Sequence, residues 1–256
     1  MNFVVDAAEG VTRLRRPETR FLSTGFDGGS RRGDAAYNLT VPEGWGDDGP
    51  RDLRTYVDER LAEAGFSSPC DAPALLTGVD QGHARAARLD GVVTVATVGL
   101  SNPAALPVDA ASVDAAESAD AAEHATATPA ASDEDRSPVG TVNLLVGTTR
   151  SLSSGALANL VAVAAEAKAT TLLATSGFPG TTSDAIVVGS AIDGDPAEFS
   201  GSATPVGDAT RVCVRDAVLA SLRSRYADEP IPASIEDATY GFVTDRRADV
   251  TPIEGT

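Results

Sequence analysis

Three apolar runs frame the second half of the chain. Residues 142–146 are apolar apart from Asn143 and predict a buried strand; 153–168 repeat their apolar positions at helical spacing; 185–189 predict a second strand. If the two strands share a sheet, a right-handed crossover through the helix makes them parallel. The alternative is an antiparallel arrangement with an additional strand over 170–174. Residues 205–225 predict another helix, with Val206, Val212, Val214, Val218 and Leu219 on its apolar side. In the first half, 3–5, 11–14 and 37–41 predict short strands, and Asp52 caps a helix running to about Ala64. Leu75, Leu76 and Val79 mark a further buried strand, and 91–100 another. This order predicts an α/β or α+β layered sandwich, with helices packed on a central sheet in a single domain spanning 1–256.

Residues 107–138 differ in kind. Ala, Asp, Glu, Ser and Thr dominate, with no aromatic side chain, so the segment buries too little surface to offset its ordering and predicts a disordered acidic, Ala-rich insertion. A marginal helix over 110–127 is the competing reading.

Polar residues interrupt the apolar frame at a few places: Asn143, Asn159, Glu166, Lys168, Thr181, Thr182 and Asp184. Burying any of them without a partner is costly, which marks them as candidates for binding or chemistry. At about 100° per residue, Leu157, Leu160, Val161, Ala164, Ala165 and Lys168 share one stripe of the helix, while Asn159, Val163 and Glu166 lie on the opposite side. Lys168 is the only lysine in the chain. A compact ammonium where every other cation is Arg points to a role that a guanidinium cannot fill; a lysine snorkelling near a helix C-terminus is the structural alternative.

Composition narrows the partners. The chain has 256 residues, 42% of them hydrophobic, enough for a sizeable core. A formal charge of −17 argues against nucleic acid and anionic membrane surfaces and fits a protein soluble in high salt, as in the cytoplasm of a halophilic archaeon. No apolar run is read as long enough to span a bilayer, and acids interrupt the N-terminal stretch, so no membrane insertion is expected and the protein is read as cytoplasmic. Cys70, Cys213, His83 and His124 form no metal-ligand spacing; neither a metal nor a cofactor is expected, and His83 reads as a turn residue near the surface. Arg15, Arg16, Arg20, Arg31 and Arg32 form a basic cluster that either meets a ligand's rim or pairs with the excess carboxylates.

Taken in order, several short motifs resemble the adenosylcobinamide amidohydrolase family. They are Ser23-Thr-Gly-Phe-Asp-Gly28-Gly29, Thr97-Val-Gly99-Leu-Ser101-Asn102, Gly140-Thr-Val-Asn143, Leu152-Ser-x-Gly-Ala-Leu-x-Asn159, Glu166-Ala-Lys168 and Gly180-Thr-Thr-x-Asp184. The chain departs from the pattern at Pro103, where the family usually has Ala, and over 176–180. The resemblance implies a cobinamide-salvage enzyme of cobalamin biosynthesis. Such an enzyme hydrolyses the aminopropanol amide of adenosylcobinamide to adenosylcobyric acid and 1-amino-2-propanol.

Amide cleavage needs an attacking oxygen, donors for the tetrahedral oxyanion and an acid for the leaving amine. Glu166 or Asp184 is the candidate base; Lys168 the candidate oxyanion partner or acid; Asn143 or the amides near Gly180 the candidate oxyanion hole. Thr181, Thr182 or Ser101 is the alternative covalent nucleophile. Asn102, Asn143, Asn159, Thr181 and Thr182 are the candidate substrate-binding residues, suited to the amide-rich rim of a corrin. Water activation ranks above a hydroxyl nucleophile because no Gly-x-Ser-x-Gly elbow is present. Other readings remain: a small-molecule kinase using Leu152-Ser-Ser-Gly-Ala-Leu157 as its phosphate loop, a self-processing hydroxyl hydrolase, and a non-catalytic corrinoid-binding module.

Overall fold

The computed structural model describes residues 1–42, 45, 52–66, 72–108 and 140–253. The insertion read at 107–138 therefore lies almost wholly outside the described residues, as do Cys70 and His124. The order of elements is β1 (Val4–Ala8), β2 (Val11–Ser23), β3 (Gly29–Thr40), α1 (Leu53–Glu63), β4 (Ala74–Thr77), β5 (Arg85–Leu89), β6 (Val92–Val98) and β7 (Ala104–Ala105). There follow β8 (Val142–Thr148), β9 (Ser151–Leu152), α2 (Ser154–Ser176), β10 (Ala185–Ala191), β11 (Pro196–Ala197), α3 (Pro205–Arg225) and β12 (Phe242–Val243).

One large mixed sheet runs β4-β3-β2-β10-β8-β6-β5, with β1 beside the first half of β2. β8 and β10 are parallel neighbours joined through α2, so the crossover reading holds. Residues 170–174 belong to α2 and form no strand. Because β8 is covered on both faces, nearly every side chain in it is apolar. Val142, Leu144 and Val146 face α2 and α3, packing with Leu157, Leu160, Val214 and Val218. Leu145 faces the other way, with Phe21, Leu75, Val93 and Val187. That second cluster joins β4 and β6, which stand far apart in strand order, so the sheet curls until its two halves face one another. α1 covers the outer side of the β2–β3 ribbon, burying Val57 and Leu61 against Val11, Tyr37 and Leu39.

Several expectations change in detail. β2 continues to Ser23 through a bulge between Arg15 and Thr19; Pro17 lies there, where a residue without an N–H is tolerated. α2 runs eight residues past Lys168 to Ser176 and stops at Gly177, whose φ of 80° sits in the left-handed region that favours glycine. Its buried face includes Val163, which the helical wheel places opposite the apolar stripe; Asn159 and Glu166, on that same side, are exposed. α2 is also long and apolar enough by length and composition to cross a bilayer, contrary to the reading of the runs, but half of its most apolar window is buried inside the protein. Cys213 is buried in α3, and desolvation pushes its thiol up to about 11, away from nucleophilic use at neutral pH.

Candidate active site

The polar residues converge where β8 and β10 begin. Ser176-Gly-Phe-Pro-Gly180 leaves α2 and returns the chain so that Asp184 sits just before β10, level with Val142. Lys168, two turns before the end of α2, reaches Asp184 Oδ2 in an ion pair whose side chains are only 11% and 13% exposed. The same carboxylate accepts three further hydrogen bonds: Val142 N–H at 2.9 Å and Thr181 Oγ1 at 2.5 Å on Oδ1, and Thr181 N–H at 3.1 Å on Oδ2. A carboxylate offers about four lone-pair positions. All are engaged, so Asp184 holds an ammonium and a hydroxyl in a fixed arrangement on two sides of one group.

Gly180 makes that arrangement possible. A methyl there would meet Asp184 Oδ2 and stand 2.7 Å from Lys168 Nζ. Gly180→Ala is expected to separate the pair and destabilise the protein by about 3 kcal/mol, the scale of breaking a buried ion pair. The unfolding midpoint of the variant checks this.

Asn102 lies beside the loop and is 7% exposed. Its amide donates to Thr182 Oγ1 at 2.8 Å, and its backbone carbonyl accepts the Thr182 N–H at 3.2 Å. Asn102 Oδ1 is buried without a hydrogen-bond partner among the described residues. A buried acceptor without a partner calls for an explanation, and an incoming amide N–H would supply one. Gly140, with φ 104°, lets the chain pass close by: a Cβ there would meet Ser101 Oγ and come within 3.0 Å of Asn102 Oδ1.

Asn143 points into the curl of the sheet. It is 1% exposed, and both of its amide hydrogens are used, on Asn38 Oδ1 at 2.8 Å and the Leu76 carbonyl at 2.9 Å. Asn38 in turn donates to Thr97 Oγ1 at 2.9 Å. This chain of amides ties β8 to β3, β4 and β6 across the curl and leaves Asn143 no donor for an oxyanion. Asn38 was not singled out in the sequence, where a polar residue inside the 37–41 run was the available signal, and Thr97 was marked only as the first residue of a family motif.

Glu166 and Asn159 lie elsewhere. The Glu166 side chain is 63% exposed, 3.9 Å from Arg211 of α3. Asn159 donates to Ser200 Oγ at 3.1 Å, about 14 Å along the helix axis from Lys168. Leu152-Ser-Ser-Gly-Ala-Leu157 forms β9 and the start of α2, where Ser153 Oγ caps the helix by accepting the Ala156 N–H. The basic cluster divides. Arg16 pairs with Asp193 and Arg31 with Asp27, holding both carboxyls below their ordinary range, while Arg20 donates to the Leu152 carbonyl. His83 closes a short 3-10 turn, with Nδ1 3.1 Å from Ser224 Oγ. Among the described residues no three His, Cys, Asp or Glu side chains gather as a metal-ligand set.

Fold and site together define a mixed α/β protein with an ammonium, a carboxylate and a hydroxyl fixed at one end of a curled sheet. The family model described as adenosylcobinamide amidohydrolase matches residues 5–230. A protein of Halobacterium salinarum (strain ATCC 700922 / JCM 11081 / NRC-1), named adenosylcobinamide amidohydrolase, is 54% identical over 242 residues, covering 94% of this chain and 96% of that protein. The chain belongs to the adenosylcobinamide amidohydrolase family. Among solved structures, the PH0078 protein from Pyrococcus horikoshii OT3 aligns with a TM-score of 0.36 and 13% identity over 85% of this chain and 78% of that one.

Proposed function

We propose that this chain hydrolyses the amide between the aminopropanol arm and the corrin propionate of adenosylcobinamide, releasing adenosylcobyric acid and 1-amino-2-propanol, and that the reaction centre is Lys168, Asp184 and Thr181. Family membership and the name of the halobacterial relative support the substrate. The placement of the centre rests on one observation: a threonine hydroxyl and a lysine ammonium share one buried carboxylate.

In this reading Thr181 Oγ attacks the amide carbon as its proton passes to Asp184 Oδ1. Lys168, held against Oδ2, supplies positive charge for the tetrahedral oxyanion. Collapse expels the amine, which takes the proton from Asp184, and water then hydrolyses the Thr181 ester. A nucleophile within hydrogen-bond reach of its base, and a base oriented by a third group, is the arrangement that activates a weak hydroxyl; this geometry puts Thr181 ahead of directly activated water. Asn102 Oδ1 accepts an amide N–H of the substrate and Thr182 contributes to the same contact. Asn143 acts as a structural tie.

Glu166 lies outside this centre, so Glu166→Gln is expected to keep turnover within about twofold of the parent, as for an exposed pair; a loss approaching a hundredfold would return it to the list of bases. The acidic, lysine-poor composition suits a salt-rich cell interior, and we place the protein in the cytoplasm. Incubation of the purified protein with adenosylcobinamide in molar KCl, without ATP, tests the function. Mass analysis should find adenosylcobyric acid and 1-amino-2-propanol in equal amounts. Intact cobinamide retained by the protein would make it a binding module, and turnover only with ATP would make it a kinase.

A further inference from the structure

The chain beyond residue 230 lies outside the stretch that the family model matches, and none of residues 227–253 is buried. Yet this tail does not simply trail into solvent. It folds on itself, with Ser234 N–H donating to Asp237 Oδ2 at 3.1 Å, Asp237 N–H to Ser234 Oγ at 3.2 Å and Ala238 N–H to the Ile235 carbonyl at 3.2 Å. It then runs parallel to β7 as β12. Three tail N–H groups donate to carbonyls of one segment: Tyr240 to Ser101 at 2.7 Å, Phe242 to Pro103 at 3.0 Å and Thr244 to Ala105 at 2.9 Å.

The other edge of that segment belongs to the reaction loop. Ala104 N–H donates to the Gly180 carbonyl at 3.0 Å, Thr182 N–H to the Asn102 carbonyl at 3.2 Å, and Pro103 bridges Thr181. Residues 101–105 are thus the middle strand of a small ribbon, with the reactive loop on one edge and the tail on the other. Among the described residues only two backbone bonds join the middle strand to the loop, and Pro103, between them, turns its carbonyl to the tail, where it accepts from Phe242. Three exposed backbone hydrogen bonds, with no buried apolar side chain behind them, make the tail a small term in global stability. Its weight falls instead on where Asn102 and the loop stand.

We infer that residues 238–244 are a positioning element of the reaction centre: by taking the carbonyls of Ser101, Pro103 and Ala105 they fix Asn102 against Thr182 and keep the loop 180–184 in register. This inference rests on the proposed location of the centre. The test uses the full chain carrying Tyr240→Pro, which deletes the N–H bonded to Ser101, beside Tyr240→Ala, which keeps it.

In Tyr240→Pro the thermal midpoint should move by no more than about 4 °C, the scale of losing one exposed hydrogen bond in a domain of this size. The Ala104 and Thr182 amides should exchange at least about tenfold faster, and kcat/KM should fall at least about tenfold through loss of local order. Tyr240→Ala should exchange and turn over within about twofold of the parent. Because tail and amide act through the same contact, adding Tyr240→Pro to Asn102→Ala should cost less than about twofold more, whereas independent effects would multiply. Unchanged exchange at Ala104 and Thr182, or losses that multiply in the double variant, overturns the inference. Faster exchange with full activity in both Tyr240→Pro and Asn102→Ala instead removes the reaction centre from this ribbon and leaves the tail's hold on it standing.

Discussion

Lys168→Met is expected to reduce amide hydrolysis by about a thousandfold or more. In the proposed reaction the variant loses the positive charge beside the tetrahedral oxyanion, an effect that alone reaches about 10²–10³ in rate where one preorganised donor is removed. It also strands Asp184, whose side chain is 13% exposed, without its counter-ion. Breaking a buried pair on one side costs about 3–5 kcal/mol, so a lower unfolding midpoint should accompany the lost activity. Lys168→Arg separates charge from shape. The guanidinium keeps the charge but is planar and wider, and the space beside Gly180 is already filled by Lys168 Nζ and Asp184 Oδ2. Activity should stay at least about tenfold below the parent, because a one-ångström displacement of a catalytic group already costs on the order of a hundredfold. Near-parental rates with Arg would reduce Lys168 to a structural cation.

Thr181→Ala should cause a loss of similar size, at least about a thousandfold, because no attacking oxygen remains on Asp184. Thr181→Ser, which keeps the hydroxyl, should retain turnover within about tenfold of the parent. Hydroxylamine added during turnover should divert the Thr181 ester to the corrinoid hydroxamate in the parent and in Thr181→Ser. A Thr181→Ala variant as fast as the parent, with no hydroxamate from either protein, would transfer the attack to water.

Much of the frame could be read from sequence because burial on both faces imposes a continuous apolar run. The runs at β8 and β10, and the apolar period of α2 between them, mark both strands and the helix; the sequence leaves their parallel or antiparallel sense open, and the pairing of the two strands decides it. β5 escaped notice because its residues alternate between exposed and half-exposed, and only the Asp90-Gly91 turn, with φ of 46° and 78°, signals that hairpin. The second half of β2 was hidden by Arg15-Arg16-Pro17-Glu18, a stretch that reads as a loop; Arg16 is nevertheless buried, with its charge directed to Asp193 and to backbone carbonyls.

The site was legible as a set of residue types and not as a set of distances. Lys168 stood out as the lone lysine, and Asp184 as an acid at the mouth of a strand. That they meet depends on the chain reversing over 177–183, which no periodicity encodes. Asn159 and Glu166 share a helix face, but it is the face away from the sheet. Angle alone cannot tell which side of a mostly apolar helix is covered. Asn143 looked like a binding group because a buried amide is costly; its partners, Asn38 and the Leu76 carbonyl, come from strands more than sixty residues earlier and reach it only because the sheet curls.

The most direct measurement compares the parent and Asp184→Asn with adenosylcobinamide in molar KCl at saturating substrate, following 1-amino-2-propanol and adenosylcobyric acid together by mass. The near-isosteric amide keeps the volume but cannot pair with Lys168 or take the Thr181 proton. The parent should release both products in a 1:1 ratio, and the variant, still folded and still binding the corrinoid, should fall at least about a thousandfold below it. Product formation by Asp184→Asn at the parental rate would contradict the assignment of the reaction to this group.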